Sequence, residues 1–185
     1  MILFKKSDQL RRHIDKARKT GQMIGFVPTM GALHQGHLSL LEASQSENGL
    51  TVTSIFVNPA QFNDPGDFAK YPITLEKDIE LLTISGTDIL FIPSVEEIYP
   101  QGIEMSKKYP LGDLEQILEG KYRPGHFQGV SMVMHRLLDI VGPNNLYMGQ
   151  KDFQQCIVIK YLLNHLYSTT RLHTCPTYGK KMDWP

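Results

Sequence analysis

The sequence predicts an α/β fold in which a doubly wound, mostly parallel sheet carries helices on both faces. Segments rich in β-branched and apolar residues alternate with segments whose apolar residues recur at helical spacing. Loops rich in glycine and polar residues follow several of the strand-like segments. This alternation predicts right-handed strand–helix–strand units, and the chain's 185 residues suffice for one sizeable core.

The first part of the chain predicts a helix from Ser7 to about Lys19, with Ser7 as its N-cap. Its apolar residues Leu10, Ile14 and Ala17 fall on one face, and a glycine follows its last turn. The expected elements that follow are a buried strand at Gln22–Val27, a helix from about His37 to Ser46 and a β-branched strand at Leu50–Val57.

The second part repeats the alternation, apart from a mixed pattern between Ile103 and Lys121 that favours no element. Its longest apolar stretch at helical spacing is His126–Val141. The other expected elements are a helix at Leu75–Ser85, a strand at Asp88–Ile92, a helical turn at Val95–Tyr99, a strand at Leu146–Met148, a helix at Lys151–Tyr167 and a strand at Arg171–Cys175.

The composition is that of an ordinary globular protein, with 41% hydrophobic and 21% charged residues. Its 19 basic and 19 acidic residues cancel, which argues against a nucleic-acid-binding surface. No signal peptide or membrane-spanning stretch is visible, and Cys156 and Cys175 lack metal-type spacing. These features predict a soluble cytoplasmic protein with reduced cysteines and no membrane partner.

Three polar loops follow predicted strands: PTMGALHQGH, NPAQF and MGQKDFQQ. Ligands of parallel α/β sheets collect beyond the carboxyl ends of the strands. The topology therefore predicts that these three loops meet at one crevice.

The first loop carries His34 and His37 in the pattern H-x-G-H, with Gly36 between them. Glycine lets a backbone approach a phosphate closely, and His37 is expected at a helix N-terminus, where free N–H groups favour anions. Two imidazoles there would stabilise charge on an α-phosphate and its leaving pyrophosphate. Such histidines are often surface residues or part of a metal site, but their position after a buried strand favours phosphate.

The other two loops carry groups suited to a nucleotide and a hydroxy acid. Lys151 would hold phosphate oxygens, and Asp152 would meet a ribose hydroxyl or magnesium, although an aspartate there also commonly caps a helix. Gln61 and Gln155 offer both a donor and an acceptor, although isolated glutamines are usually surface residues.

The segment RPGHF adds Arg123 and His126, which would hold an anion or shape the cleft, although a lone loop arginine is more often solvated. The apolar stripe of the following helix is typical of a core face, and part of it could also form a wall of the pocket. The stripe comprises Val130, Val133, Met134, Leu137 and Leu138.

Taken together, these segments resemble the pantothenate synthetases, a family within the Rossmann-like H-x-G-H nucleotidyltransferases. The resemblance covers nearly the whole chain up to Thr177. The matching segments are PTMGALHQGHLSLL at Pro28–Leu41, FVNPAQF at Phe56–Phe62, YPITLEKD at Tyr71–Asp78, FIPSVEEIYP at Phe91–Pro100, RPGHFQGV at Arg123–Val130 and GQKDFQQ at Gly149–Gln155.

The resemblance implies an ATP-dependent ligase that condenses pantoate with β-alanine through a pantoyl adenylate, releasing pyrophosphate and then AMP. It implies that residues 1–177 form the nucleotide- and pantoate-binding domain, with Mg²⁺ accompanying ATP and a homodimer built through this domain. The catalytic residues implied are His37, His34 and Lys151. The ATP-binding residues implied are Met30, Gly31, Ala32, Leu33, His34, Gln35, Gly36, His37, Gly149, Gln150, Lys151 and Asp152; those for the substrate are Pro28, Thr29, Met30, Gln61 and Gln155.

Three positions depart from the family pattern. Ile73 stands where arginine is usual, which removes a charge near the pantoate loop. Gln128 replaces a common arginine, and Gln150 replaces a common glutamate.

The last eight residues, 178–185, also depart from the family, which continues with a segment like R-E-x-D-G-L-A-M-S-S-R and a lid domain. A coding stretch CGG GAA AAA GAT GGA TTG GCC ATG AGC, read without its first base, gives G-K-K-M-D-W-P and a stop. That is the sequence Gly179–Pro185, so we expect a frameshift; the alternative is a tail from deliberate truncation. Without a lid we expect mobile terminal residues and weak or absent turnover.

Two other functions remain compatible with the sequence. The chain could be a module that binds ATP and pantoate or dimerises without catalysis. It could also be a nucleotidyltransferase with another acceptor, which the paired positions of Gln61 and Gln155 disfavour.

Overall fold

The computed structural model describes residues 1–103 and 108–179, which build one sheet of six strands. In chain order the strands are β1 (Ile2–Phe4), β2 (Ile24–Thr29), β3 (Leu50–Ile55), β4 (Ile89–Phe91), β5 (Asn145–Gly149) and β6 (Arg171–Cys175). Their spatial order is β1-β4-β3-β2-β5-β6, and every pair is parallel. The predicted parallel α/β sheet is thereby confirmed.

Helices connect the strands. They are α1 (Ser7–Lys19), α2 (Gln35–Glu47), α3 (Pro65–Ala69), α4 (Leu75–Ile84), α5 (Val95–Ile98), α6 (Leu118–Tyr122), α7 (His126–Val141) and α8 (Phe153–His165). Single 3-10 turns lie at Pro59–Gln61, Gly112–Glu115 and Gln150–Asp152. The predicted mixed region 103–121 contains one of these turns and all of α6 except its last residue, and its residues 104–107 lie outside the described part.

The core has two parts, one on each face of the sheet. Consecutive strand residues alternate between them: Phe26 packs with α1, α7 and α8, whereas the next residue, Val27, packs with α2 and α4. Ile89 and Leu90 repeat the alternation in β4. Side chains of a strand point to opposite faces in turn, so this division confirms the doubly wound arrangement.

Several predicted boundaries were wrong. β1 was missed because it has only three residues, followed directly by two lysines, too short for a periodic signal. Helix α2 begins at Gln35 rather than His37 because His34 caps it, and α8 begins at Phe153 because a 3-10 turn precedes it.

The predicted capping by Ser7 was also wrong. The N-cap of α1 is Lys6, which makes no side-chain cap, and the Ser7 hydroxyl donates instead to the Glu97 carboxylate at 2.5 Å. The same carboxylate accepts from the Ser7 backbone N–H at 2.8 Å and from Lys6 Nζ at 3.0 Å. Glu97 thus joins the start of α1 to α5, and hydrogen bonds from Ser7 lower its pKa to about 2.

We expect Glu97→Gln to lower the free energy of unfolding at pH 7 by about 1 kcal/mol, because a neutral amide accepts the Ser7 and Lys6 hydrogen bonds less strongly. A carboxylate whose folded pKa is depressed stabilises the fold above its unfolded pKa, near 4.5, and this contribution disappears as the pH falls towards 2. Urea unfolding at pH 7 and pH 3 measures both effects. A difference between the two proteins that persists unchanged at low pH would contradict this role.

Cys156 and Cys175 are both free thiols and form no disulfide, as predicted. They belong to the packing on opposite faces of the sheet. No helix in the described part of the chain is long and apolar enough to cross a membrane. The tail expected to be mobile is Gly179–Pro185, and all of it except Gly179 lies outside the described residues.

Candidate active site

A cavity of about 430 Å³ opens at the carboxyl ends of β2, β3 and β5. The three polar loops meet there, as the topology predicts. The predicted site residues that line it are Pro28, Thr29, Met30, Gly31, Ala32, His34, Gly36, His37, Gln61, Gly149, Lys151, Asp152 and Gln155.

Three residues of the predicted ATP-binding set do not line this cavity. Leu33 is buried among core residues of the α2–α4 face, where it packs with the sheet. Gln35 and Gln150 are exposed outside the lining. Their backbones still belong to the loops that form the cavity.

The two histidines form a reciprocal cap at the start of α2. His34 is the N-cap, and its Nδ1 accepts from the Gly36 N–H at 3.0 Å. His37 Nδ1 in turn accepts from the His34 N–H at 3.3 Å. Because both Nδ1 atoms are acceptors, each neutral ring carries its proton on Nε2. The ring centroids lie 4.2 Å apart, so the loop presents two neighbouring N–H donors.

His37 is neutral at physiological pH. Burial, the adjacent His34 and, to a smaller extent, Lys151 lower its pKa from 6.5 to about 4, and the Asp78 carboxylate opposes the shift. The sequence had suggested that these imidazoles act by neutralising charge. In the folded chain, His37 is instead a hydrogen-bond donor with no charge of its own.

The idea of free backbone N–H groups at this helix start needs the same correction. The His37 N–H donates to the His34 carbonyl, and the Gly36 N–H is used by the His34 ring. The amides of Ala32 and Leu33 donate to Asp78. Side chains, rather than a cradle of amides, therefore form the polar surface that this loop offers to a ligand.

The predicted substrate residue Gln61 is held from several sides. It is 8% exposed, its Oε1 accepts from Asn58 Nδ2 at 3.2 Å, and its Nε2 donates to Met30 Sδ at 2.9 Å. The ring of His126 contacts the Gln61 carbonyl oxygen through Nδ1 at 2.8 Å, so Nδ1 is the donor. Burial lowers the pKa of His126 and favours this neutral form.

Arg123, predicted to hold an anion or shape the cleft, does not line the cavity. It forms an ion pair with Glu119 and lies 3.2 Å from His126 Nε2. His126 shapes the cleft indirectly, through the backbone of Gln61. Of the predicted apolar stripe, Val130, Val133, Met134 and Leu137 line the cavity, whereas Leu138 packs in the core.

On the basis of the resemblance, three positions were expected to depart from the pattern of the family. Of these, Ile73 is 81% exposed, and Gln150 is also exposed and does not line the cavity. Gln128 is buried, and its Oε1 accepts a hydrogen bond from the Tyr109 N–H. Its Nε2 donates to the Tyr109 carbonyl oxygen and to the Glu115 carboxylate. Gln128 therefore ties the segment before α6 to α7.

Sequence reasoning missed Asn58, Tyr71, Asp78 and Tyr178. Asn58, Tyr71 and Tyr178 line the cavity, and Asp78 lies behind its histidine loop. A signal for Asp78 was present: it falls on the buried face of α4, with Leu75 and Leu82, where a carboxylate requires partners. Tyr178 lay in the segment that had been interpreted only as a tail.

The described residues hold no cluster of three or more histidine, cysteine, aspartate or glutamate side chains that could bind a metal. Asp152 is exposed at the cavity rim, and its side chain does not cap α8. Asp152 does occupy the N-cap position of α8, as the capping alternative has it, but without a side-chain cap hydrogen bond.

Comparison with known proteins identifies the family. The family model described as pantoate–β-alanine ligase matches residues 2–183. A curated pantothenate synthetase of Cytophaga hutchinsonii is 48% identical over 176 residues, which are 95% of this chain and 62% of that protein. The chain thus spans less than two thirds of the length of this curated relative.

Solved structures agree with the sequence comparison. The crystal structure of pantoate–β-alanine ligase from Francisella tularensis, complexed with β,γ-ATP and β-alanine, matches with a TM-score of 0.92 and 45% identity over 98% of this chain and 69% of that one. Pantothenate synthetase from Thermus thermophilus matches with a TM-score of 0.89 and 40% identity over 98% and 63%. The chain belongs to the pantoate–β-alanine ligase family.

Proposed function

We propose that this chain binds ATP and pantoate in the 430 Å³ cavity and carries the adenylation chemistry of a pantoate–β-alanine ligase. The observation that supports it most directly is the meeting of a histidine pair, a lysine and two glutamines on the walls of one cavity. We assign these groups to two ends of the cavity, one for a triphosphate and the other for a small hydroxy acid.

At the phosphate end, we assign the Nε2–H groups of His34 and His37 and the ammonium of Lys151 to the α-phosphate and the leaving pyrophosphate. A donor aimed at oxygens that gain charge in the transition state accelerates the reaction most. The Lys151 side chain is exposed at the rim and can move onto a phosphate. Because His37 is neutral, Lys151 supplies the positive charge on this side.

At the acid end, we assign Gln61 and Gln155 to the hydroxyl and carboxylate groups of pantoate. The apolar residues of α7 that line the cavity, with Met30 and Phe56, would pack against its gem-dimethyl group. Gln61 is buried and fixed by Asn58, so it is preorganised for this contact.

The chemistry proceeds without a protein nucleophile. A pantoate carboxylate oxygen attacks the α-phosphorus, the bond to the bridging oxygen breaks, and pyrophosphate leaves. The amine of β-alanine then attacks the acyl carbon of pantoyl adenylate, AMP leaves with the bridging oxygen, and the nitrogen loses a proton. The residues of this chain orient the reactants and stabilise charge.

Several predicted partners belong to the same proposal. Mg²⁺ would accompany ATP, and the exposed Asp152 carboxylate beside Lys151 fits the one or two carboxylates that usually hold such an ion with phosphates. Residues 1–177 would form the binding domain of a cytoplasmic homodimer. The exposed apolar stripe Phe153, Ile157 and Tyr161 of α8 supports an association surface.

The test is pantoate-dependent release of pyrophosphate by the purified chain, with ATP binding measured by calorimetry and subunit mass by sedimentation on the same sample. We expect ATP binding that requires Lys151, with an affinity at least about tenfold lower in Lys151→Ala. Pyrophosphate release that requires pantoate supports the enzyme. Binding without release supports the alternative of a non-catalytic binding module. Absence of ATP binding would refute both.

A further inference from the structure

The Asp78 carboxylate binds the backbone of the histidine loop and is not part of the lining of the 430 Å³ cavity. It is 1% exposed and projects from α4, more than forty residues away in sequence from the loop that it contacts. Oδ2 accepts from the Ala32 N–H at 2.9 Å, and Oδ1 accepts from the Leu33 N–H at 2.8 Å. The Thr74 hydroxyl donates to Oδ2 at 3.2 Å.

The loop that Asp78 holds has an uncommon backbone conformation. Gly31 has φ +87° and Ala32 has φ +51°, so two consecutive residues lie in the left-handed region. For alanine this conformation costs free energy and persists only where the surroundings enforce it. A Cβ at Gly31 would lie 3.1 Å from Asp78 Oδ2, so the glycine also permits the close approach of the carboxylate.

This conformation sets the position of both histidines. The chain turns at Gly31 and Ala32 immediately after β2, and His34 and His37 follow within one turn of α2. With the two amides at Ala32 and Leu33 fixed on one carboxylate, the loop retains little freedom. The rings then face the cavity that Ala32, His34 and His37 line.

The negative charge of Asp78 also affects two residues of the cavity wall, His37 and Tyr71. Its hydrogen-bond partners are two amides and one hydroxyl, all neutral, and no ion pair among the described residues includes it. Its negative charge raises the pKa of His37 against the opposing effects of burial, His34 and Lys151. It also adds to the effect of burial in raising the pKa of Tyr71, another residue of the cavity wall.

We propose that Asp78 is the positioning residue of the histidine loop: by binding the Ala32 and Leu33 amides it holds His34 and His37 towards the nucleotide. The inference rests on the proposed ATP site for its functional meaning, although the contacts themselves can be tested without ATP. Asp78 does not line the cavity in which we place the ligand. Its effect on ligand binding passes through the backbone of Ala32 and Leu33.

The decisive variant is Asp78→Asn, which keeps the shape of the side chain but replaces one acceptor by an N–H₂ donor facing an amide donor. Asp88→Asn is the matched control. Asp88 also accepts a backbone amide, from Thr51 at 2.8 Å, but it precedes β4 at the opposite end of the sheet. A loss that reflects only a weakened aspartate–amide contact should be similar in both variants.

We expect Asp78→Asn to bind ATP at least about tenfold more weakly than the unmodified chain, whereas Asp88→Asn should bind within about twofold. Side-chain NMR of His37 gives a readout that weakened folding alone would not move. Without the carboxylate, a smaller fraction of His37 should be protonated at about pH 4.5. Equal ATP affinity together with an unchanged His37 titration in a folded Asp78→Asn protein would overturn the proposal.

Two results separate failure of this inference from failure of the proposed function. If the unmodified chain does not bind ATP, the proposed function fails, and the His37 titration still decides the role of Asp78. If Asp78→Asn does not fold, hydrogen exchange on the unmodified chain decides it. The Ala32 and Leu33 amides should then be strongly protected, and exchange at the rate of a solvated loop would refute the anchor.

Discussion

Alanine at Gly129 should destabilise the chain by about 3 kcal/mol, although alanine favours helices over glycine by about 1 kcal/mol. Gly129 lies in α7 where the helix crosses the Pro59–Gln61 turn. A Cβ there would fall 2.1 Å from the Ala60 carbonyl oxygen and 2.7 Å from Gln61 Cα. Both contacts are with backbone, so a rotamer change cannot relieve them. Either α7 or the turn must move.

The same overlap would also displace residues that we propose to bind pantoate. Asn58 Nδ2 donates to the Gly129 carbonyl at 3.1 Å and to Gln61 Oε1 at 3.2 Å, so displacement of the turn disturbs the side chain proposed for pantoate. We therefore expect Gly129→Ala to lose pantoate affinity along with stability. Calorimetric titration with pantoate and urea unfolding followed by circular dichroism measure the two losses.

Ser131→Ala is the matched control for Gly129→Ala. Ser131 is fully buried in the same helix, and its hydroxyl has no hydrogen-bond partner among the described residues. Removing an unpaired buried hydroxyl should leave the free energy of unfolding unchanged or slightly higher. If Gly129→Ala proved as stable as Ser131→Ala, the close packing of α7 on the turn would be wrong.

The sequence predicted the elements of the fold well wherever a pattern of apolar or β-branched residues continued over many residues. The apolar stripe of α7 and the β-branched run of β3 were found because each repeats one spacing over many residues. β1 was missed because its three residues form a strand only by pairing with β4. In this pair Ile2 lies opposite Ile89, which is 87 residues further along the chain. Tertiary pairing of this kind leaves no local pattern.

The candidate site, like the fold, was only partly predictable from the sequence. Most of the cavity-lining residues were predictable because they lie in contiguous loops after strands, where topology concentrates ligand contacts. Asn58, which lines the cavity, and Asp78, which does not, were missed. Asp78 and Asn58 act through hydrogen bonds to the backbone or side chain of other segments, and only the folded chain brings these partners together. The charge state of His37 was equally hidden, because it depends on burial.

The neutral state of His37 leads to the second large effect. His37→Ala should reduce pantoate-dependent pyrophosphate release at pH 7 by about 100-fold, as expected for loss of one transition-state donor. His37→Gln keeps an N–H donor and should retain more activity than His37→Ala. Both expected results follow from a neutral N–H donor and need no positive charge on the ring. Because a neutral donor and an imidazolium respond differently to pH, the pH dependence of the His37→Ala effect distinguishes them.

Since the pKa of His37 is about 4 in the folded chain, the ring does not titrate between pH 6 and 8. The activity that His37→Ala removes should therefore be the same fraction of the total across that range. An essential imidazolium would instead lose its effect as the pH rises. Nitrogen NMR shifts of the ring identify its protonation directly, and a titration near pH 7 in the free chain would refute the neutral donor.

Folding stability gives an independent check that needs no turnover. The unfolded chain binds a proton at His37 near pH 6.5, whereas the folded chain binds it only near pH 4. The contribution of this ring to stability is therefore complete above about pH 6.5 and is lost as the pH falls towards 4. In His37→Gln, the decline in the free energy of unfolding over this interval should be shallower than in the unmodified chain. Equal slopes would mean that the folded pKa of His37 lies near its unfolded value of 6.5, so that the ring gains its charge over this interval while the chain is folded.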